Sequence, residues 1–264
     1  MNLKAIYKII LFDFRLHVAF TLFLIWLLAV WHFRTLAAFG YPILAVGLIT
    51  ILDLGITWVR DHKIYLHSAS FVTGLLIGLI IAPNGPVWIV AVACLLASLS
   101  KQFIKLGLRQ HIFNPAAFGV MATSLIFGIS IAWWGIAWSK WPLMILIPLM
   151  ARILWRMKRL MLPITFLVVF FLFLAIKVGP QESIKALFDG SVMLFALVML
   201  PEPITSPNKG YFNYLFGVLV AIISILISST KALGEVFLPA LLFGNLIGFL
   251  LIRFKTFAKA PTSK

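Results

Sequence analysis

Ten apolar runs, each long enough or nearly long enough to cross a lipid bilayer, divide this chain of 264 residues. A spanning helix needs about 20 apolar residues, and somewhat fewer where its ends are irregular. Hydrophobic residues make up 63% of the sequence and charged residues 11%, which is more apolar surface than a water-soluble fold could bury. The sequence therefore predicts an all-α integral membrane protein with spans at about 16–33, 36–59, 68–83, 86–104, 114–129, 141–155, 161–178, 187–201, 211–229 and 236–254.

The loops between these runs carry an uneven distribution of charge. The chain has 22 Lys and Arg against 7 Asp and Glu, which gives a net charge of +15. Cytoplasmic loops of membrane proteins are enriched in cations. With the N-terminus in the cytoplasm, only five cations fall on the outer side: Arg34, Lys140, Lys177, Lys185 and Lys231. We therefore expect a multi-pass protein of the cell membrane with both termini cytoplasmic, and the charge does not indicate nucleic-acid binding.

The sequence lacks the usual signatures of soluble enzymes. Cys94 is the single cysteine, so neither an intrachain disulfide nor a cysteine metal cluster can form. The five His show no metal-ligand spacing, and nucleotide-binding and hydrolase motifs are missing. We therefore predict no catalytic residue and no metal site.

Two stretches of the sequence resemble each other at a constant offset. Pro83 and Pro115 in the first stretch correspond to Pro207 and Pro239 in the second. The stretches cover spans three to five and eight to ten, and a shift by an odd number of spans inverts one copy relative to the other. Inverted repeats with short, proline-interrupted segments are typical of transport proteins that hold a site at the repeat interface. Because proline leaves backbone carbonyls without partners, these segments are expected to be broken or re-entrant and to face protein or a cavity.

The repeat divides the chain into five parts. Residues 16–129 and 141–254 are the predicted five-helix repeats, joined by a short Trp-rich outer connection at 130–140. Residues 1–15 are a basic, interfacial segment ahead of an uncleaved first span, and 255–264 form a basic cytoplasmic tail. The helix after Asn114 is expected to direct its N-terminal amides into a central cavity, an arrangement that favours an anion such as a phosphate. The alternative is that the prolines only kink packed helices.

Three segments carry a family resemblance. Residues 67–76 read HSASFVTGLL, residues 101–117 begin with Lys and end in FNPAA, and residues 189–210 contain DGSVML, PEPIT and NKG. In order and spacing they resemble the SA-x-LTGLLLA, K…GLG…FNPA and SGATML…TDPVT…NRG segments of one membrane family. That family comprises the RnfD and NqrB proteins, which are membrane components of the Rnf electron-transport complex and of the sodium-pumping NADH:quinone oxidoreductase.

The resemblance implies ten helices in two inverted halves, an outline shared with urea transporters. It also implies a flavin between the halves, electron transfer with other membrane electron-transport subunits and a flavin or ferredoxin-type carrier, and coupling to sodium or proton movement. The better-known members attach FMN to the threonine of a Ser-x-Ala-Thr motif in a long loop after the FNPA helix. Here that connection spans only about residues 129–140 and contains no threonine. We therefore expect FMN or riboflavin to bind without a covalent bond.

The candidate cofactor-binding residues lie in or beside the matched segments: Thr73, Lys101, Arg109, Asn114, Pro115, Glu202, Thr205, Asn208 and Lys209. If the helix continues, the four-residue spacing of Lys101, Lys105 and Arg109 aligns them on one face. There they could receive a flavin phosphate, dock an acidic electron carrier or anchor the protein at the cytoplasmic surface. Glu202 could cap a half-helix, bind a ribityl hydroxyl or lie solvated in a loop.

Several alternatives remain open at this point. Asp53 is the one acid well inside a predicted span, where a carboxylate needs a partner or water. It could belong to an ion pathway or pair with Lys101 or Lys105. The tryptophans of the outer connection could anchor in the membrane interface or stack on a ligand, and the cations at 152–159 are expected to face lipid headgroups. The rival function is a small-solute channel or transporter on the same fold without a redox cofactor.

Overall fold

The computed structural model describes residues 13–62, 68–106, 110–207, 210–230 and 233–258. Within them the chain is almost entirely helical, with one pair of two-residue strands. In chain order the elements are α1 (Phe14–Phe33), α2 (Leu36–Asp61), α3 (Ser68–Ile80), α4 (Trp88–Phe103), β1 (Lys105–Leu106), β2 (Gln110–His111), α5 (Pro115–Phe127), α6 (Trp141–Arg156), α7 (Met161–Val178), α8 (Pro180–Leu187), α9 (Gly190–Leu194) with a π-helical extension (Phe195–Met199), α10 (Phe212–Thr230) and α11 (Phe237–Ala258).

The helices follow the predicted apolar runs closely. Each predicted span coincides with a helix, and the span at 187–201 is α9 with its π-helical extension. In the described parts of the chain four helices, α1, α2, α7 and α10, meet the length and apolar composition needed to cross a membrane. The prediction of an all-α, multi-pass membrane protein is confirmed. No apolar run predicted α8, which is short and carries Glu182 and Lys185.

α3 is a short helix that packs tightly against α2. Gly74 and Gly78 lie one turn apart, and a Cβ atom on either would come within 2.5 Å of a backbone atom of Val46 or Pro42 in α2. Small residues let membrane helices approach this closely. Every residue of α3 from Thr73 to Ile80 is buried. The helix therefore lies inside the protein rather than against lipid, as a broken or re-entrant segment would.

Capping side chains set where several helices begin. Asp13, Thr35, Asn114 and Asp189 each accept a hydrogen bond from an amide in the first turn of the helix that follows. Asn114 is followed by Pro115 at the first helical position, where a missing amide costs little because that amide has no partner within the helix. The Asn-Pro pair thus fixes the start of α5.

The single helical face predicted for Lys101, Lys105 and Arg109 is wrong. α4 ends at Phe103, and Lys105 lies in β1, where it pairs with His111 of β2. The chain folds back into this hairpin before α5 begins, so the four-residue spacing of the cations does not align them on one helix. Arg109 itself lies outside the described residues, as do residues 1–12 of the predicted interfacial segment.

Candidate functional site

The predicted breaks in the two halves meet at one cavity of about 270 Å³, which we call the central cavity. Its wall is mainly apolar and is built by α1, α3, α6, the start of α5 and the residues around the end of the π-helical extension. We call the end of the helix bundle that holds this cavity the inner end. The end that holds residues 129–140, at the far end of α5, is the outer end. Four sequence-predicted residues line the cavity: Thr73, Asn114, Pro115 and Glu202.

Asn114 joins the start of α5 to both neighbouring segments of the second half. Its side chain caps α5 by accepting from the amide of Ala117 at 3.0 Å, and its Nδ2 lies 3.5 Å from the carbonyl oxygen of Met199. Its own amide donates to Oδ1 of Asn245 in α11 at 3.1 Å. Because side chains of the protein already accept from two amides at this helix start, the predicted anion site is partly filled by the protein itself.

Glu202 lies at the edge of the central cavity and is 23% exposed. Its carboxylate accepts a hydrogen bond from Thr205 at 3.1 Å. Nε2 of the buried His111 lies 3.6 Å from the same carboxylate, too far for a hydrogen bond, and it has no hydrogen-bond partner among the described residues. Thr205 in turn accepts, through its carbonyl, from Nδ2 of Asn245 at 3.0 Å. Glu202 is therefore neither fully solvated nor fully paired, and part of its carboxylate faces the cavity.

Arg159 holds together the break that contains Glu202. The side chain is 1% exposed, and its Nη1 donates to the carbonyl of Pro201 at 2.9 Å and to Oγ of Ser206 at 2.7 Å. Its Nη2 donates to the carbonyls of Ser206 and Pro207 at 3.3 and 3.0 Å. Burial lowers the pKa of the guanidinium to about 10, while the charge of Glu202 acts to raise that pKa, so Arg159 stays charged at neutral pH. The expectation that Arg159 faces lipid headgroups is wrong.

Asp53 is neutralised in a polar cluster within the first half. The carboxylate is 1% exposed and accepts from Nζ of Lys101 at 2.5 Å, from Oγ of Ser70 at 2.6 Å and from Oγ of Ser98 at 2.8 Å. Of the two interpretations, the structure contains the ion pair, and its partner is Lys101 rather than Lys105. Lys101 does not line the central cavity. Its ammonium is instead paired with the carboxylate of Asp53.

The tryptophans in and beside the outer connection differ in burial. Trp133 and Trp134 are buried, and their indole nitrogens donate to Oε2 of Glu235 at 2.8 Å and to the carbonyl of Gly78 at 2.9 Å. Trp141, in contrast, is 65% exposed. Trp133 and Trp134 therefore cap protein segments rather than anchoring in the interface or presenting a stacking surface, because both indoles are enclosed.

The structure thus brings together some of the predicted site residues and separates others. Thr205 lies one hydrogen bond behind Glu202, while Asn208, Lys209 and Arg109 lie outside the described residues. Among the described residues, no group of three or more His, Cys, Asp or Glu is placed to hold a metal ion.

Sequence reasoning missed Arg159, Asn245 and His111. A signal existed for Asn245, since an amide within the apolar run of α11 needs a buried partner. The sequence carried no such signal for Arg159, because this residue lies in a basic cluster that resembles a membrane anchor.

Comparisons with known proteins agree with the sequence motifs. Residues 9–138 match the NQR2, RnfD, RnfE family. Over 104 residues the chain is 27% identical to a protein of Actinobacillus succinogenes that is named as the D-type component of an ion-translocating oxidoreductase complex. That alignment covers 36% of this chain and 29% of the relative, so the match spans less than a third of the relative's length. The family resemblance is confirmed over residues 9–138, which contain the first two of the three segments.

Proposed function

Because residues 9–138 of this chain match the NQR2, RnfD, RnfE family, we propose that it is a membrane subunit of a flavin-dependent electron-transport complex. The relative's name describes one component of an ion-translocating oxidoreductase complex, which supports other complex subunits as partners. A flavin in this chain would pass electrons between a flavin or ferredoxin-type carrier and another redox subunit. The chain's own residues would bind the ring, orient it and keep water away.

One observation carries the proposal: broken segments from both halves of the chain converge on the central cavity. Its apolar side chains, among them Val72, Leu76 and Val198, suit the faces of a flat aromatic ring. Polar groups of Thr73 and Glu202 lie at its wall and could bind the polar edge of the ring or the hydroxyls of its tail. Small-molecule sites are typically of this kind, apolar with a few placed polar groups.

The charges around the central cavity favour riboflavin over FMN. The lining residues include two acids, Asp13 and Glu202, and one cation, Arg15. Among the described lining residues a phosphate dianion would meet Glu202 and only one cation, Arg15, and two of the amides at the start of α5 already have partners. The volume of about 270 Å³ also falls just below the range of about 300–1,000 Å³ for drug-sized ligands. A neutral flavin with an uncharged tail suits this site best.

The pattern of helix contacts supports an inverted repeat of residues 16–129 and 141–254. α2 packs on α3 and α4 in the first half, as α7 packs on the π-helical extension and on α10 in the second. α4 packs on α5 as α10 packs on α11. Across the halves, α1 contacts α6 and α5 contacts α11. These are corresponding helices, as a two-fold relation between the halves requires. With the charge bias of the loops, this supports cytoplasmic termini and a central cavity that faces the cytoplasmic side.

The polar cluster around Asp53 supports a role in coupling to ion movement. A carboxylate with two serine hydroxyls and an ammonium in the interior of spans is costly unless it serves a structural or ion-binding purpose. In the proposed function the ammonium of Lys101 holds this site neutral, and sodium or proton movement would require its displacement from Asp53.

The visible spectrum of the purified protein tests the proposal. We expect a flavin absorption band that denaturation releases into solution, with mass spectrometry identifying riboflavin. Val72→Trp fills the central cavity and is expected to abolish the band, whereas Val168→Trp on the exposed face of α7 is the matched control and is expected to retain it. Fluorescence that survives a denaturing gel would contradict non-covalent binding. A colourless preparation that moves solute in liposomes would support the channel alternative instead.

A further inference from the structure

A cluster of exposed cations lies at the inner end of α6. Arg152 and Arg156 are one turn apart on the helix, and Lys158 follows directly after its end; all three are exposed. Trp155, between the two arginines, is 72% exposed. We call these four residues the α6 cluster. None of them lines the central cavity, and what they bind is independent of whether the protein holds a flavin.

The turn that ends α6 separates the α6 cluster from the neighbouring Arg159. The amides of Lys158 and Arg159 donate to the carbonyls of Trp155 and Leu154 at 3.0 and 2.9 Å, which is the Schellman pattern of helix ends. Arg159 is thereby directed into the protein, while Lys158 stays outside. Lys158 has a φ of 57°, the left-handed conformation that glycine usually supplies at this position. The chain therefore keeps a cation where the backbone favours glycine.

The described acids leave the α6 cluster without a counter-charge, since none forms an ion pair with its cations. The six acids whose side chains are described have partners elsewhere: Asp13, Asp53, Glu182, Asp189, Glu202 and Glu235. The remaining acid, Asp61, ends α2, whereas α6 packs on α1 and on α9 with its extension. The segments outside the described residues contain no Asp or Glu. Because the end of a helix supplies only about half a negative charge, the three cations need an anion from another molecule.

The α6 cluster continues an apolar, outward face of its helix. Met144, Pro148 and Arg152 are exposed and follow one another at four-residue spacing, which places them on one face. Met150 and Leu154 line the central cavity from the other side of the helix. An acyl chain can therefore lie along the same face that ends in the cations.

Exposed tryptophans mark the two ends of α6. Trp141 is 65% exposed and Trp155 is 72% exposed, and tryptophans of membrane proteins concentrate at the two interfaces with water. The helix between them rises about 21 Å, which is less than the hydrocarbon thickness of about 30 Å. Arg152 and Arg156 thus lie at the depth of lipid phosphates rather than in the water beyond. The guanidinium of Arg156 is held there over the ring of Phe14 in α1, 5.6 Å from its centroid.

We propose that the α6 cluster binds one anionic phospholipid, with its phosphate at Arg152, Arg156 and Lys158 and an acyl chain along Met144 and Pro148. Basic clusters beside membrane helices recognise anionic headgroups, and each cation contributes about 1 kcal/mol, which is about fivefold in affinity. A zwitterionic lipid has the same acyl chains but no net charge, so the cluster discriminates by headgroup. The sideways direction of the cluster, away from the cavity, favours a lipid over a soluble acidic protein.

Native mass spectrometry of the full chain, released from nanodiscs with equal amounts of phosphatidylglycerol and phosphatidylcholine, tests the proposal. We expect one retained phosphatidylglycerol per chain. Arg152→Gln and Arg156→Gln should each weaken its retention about fivefold. Lys158→Gly should weaken retention equally, although it gives the left-handed position the residue that suits it and should not lower the free energy of unfolding. Loss of lipid from a variant of undiminished stability cannot be ascribed to misfolding.

Lys177→Gln is the matched control. Lys177 is an exposed cation that lies over the ring of Phe173, 5.8 Å from its centroid, much as Arg156 lies over Phe14, but at the outer end of α7. It should leave lipid retention unchanged. The proposal is overturned if phosphatidylcholine is retained as well as phosphatidylglycerol, the result expected if the cluster serves a protein partner. It is equally overturned if Lys177→Gln lowers retention as much as Arg156→Gln, or if Lys158→Gly keeps the lipid.

Discussion

α3 and the π-helical extension of α9 are corresponding broken segments of the two proposed repeats, but their ends are held by different chemistry. At the outer end, the carbonyls of Leu79 and Ile80 accept from the amides of Gly135, Ala132 and Trp133 at 3.0–3.2 Å. All these donors are neutral and come from one loop. At the inner end, the carbonyl of Pro201 accepts from a guanidinium and that of Met199 from a side-chain amide.

Because of this difference, the outer end is closed, whereas the inner end keeps a polar group at a cavity. The outer end is sealed by backbone groups and buried indoles. At the inner end the carbonyls, which carry the partial negative charge of a helix C-terminus, are matched by Arg159, and Glu202 is left partly exposed at the central cavity. Similar helix patterns thus support a seal in one half and a polar site in the other.

Removing the guanidinium should have the largest effect on stability. Arg159→Met leaves the carbonyls of Pro201, Ser206 and Pro207 buried without their donor. Each buried acceptor left without its donor costs about 1–3 kcal/mol, and this substitution affects three of them. Equilibrium unfolding of the purified protein in mixed detergent micelles measures this loss.

Arg152→Met is the control for Arg159→Met, because Arg152 is exposed on α6. It should change the free energy of unfolding by less than about 0.5 kcal/mol. Equal effects of the two variants would show that Arg159 does not hold the inner break.

The two broken segments also differ at their starts, and Asp53→Asn tests what holds the start of α3. Ser70 of α3 donates to Asp53, whose charge balances Lys101. Replacing the carboxylate strands the ammonium in the interior and should cost about 3–5 kcal/mol. The double variant Asp53→Asn/Lys101→Met should recover much of that loss, which the same unfolding measurement reports.

The exposed pair of Glu182 and Lys185, 2.6 Å apart, serves as a control for Asp53. Since surface ion pairs contribute only about 0–1 kcal/mol, Glu182→Gln should have little effect. If Asp53→Asn were equally mild, or if removing Lys101 gave no recovery, the ion pair would not be what fixes the start of α3.

The seal at the outer end should be less sensitive to a single change. Trp134→Phe removes one donor, the indole nitrogen that serves the carbonyl of Gly78 at 2.9 Å. A buried acceptor left without its donor costs about 1–3 kcal/mol. Trp141→Phe, at a largely exposed position, should cost much less in the same unfolding experiment. An effect of Trp134→Phe no greater than that of Trp141→Phe would argue that the indole is not part of the seal.

The sequence predicted what depends on local pattern and missed what depends on packing between distant segments. Apolar runs gave the helices, and Asn114 with Pro115 gave the start of α5, because both signals are contained in a few neighbouring residues. Arg159 could not be assigned, since its acceptors lie more than 40 residues away and nothing nearby distinguishes it from a lipid-facing cation. Lys105 was misplaced because periodic spacing does not reveal where a helix stops.

The smallest effect is expected at the start of α9, where an acid caps its own helix instead of joining a network. Asp189 accepts from the amide and hydroxyl of Ser191 and contacts no cation among the described residues. Loss of an N-cap costs about 0.5–2 kcal/mol, so Asp189→Ala should lower the free energy of unfolding by that amount. Asp189→Ser keeps a capping oxygen and should lose less. If Asp189→Ala and Asp189→Ser lower the free energy of unfolding equally, packing rather than capping sets the start of α9. Asp53 and Asp189 would then differ in their burial and not in a capping role.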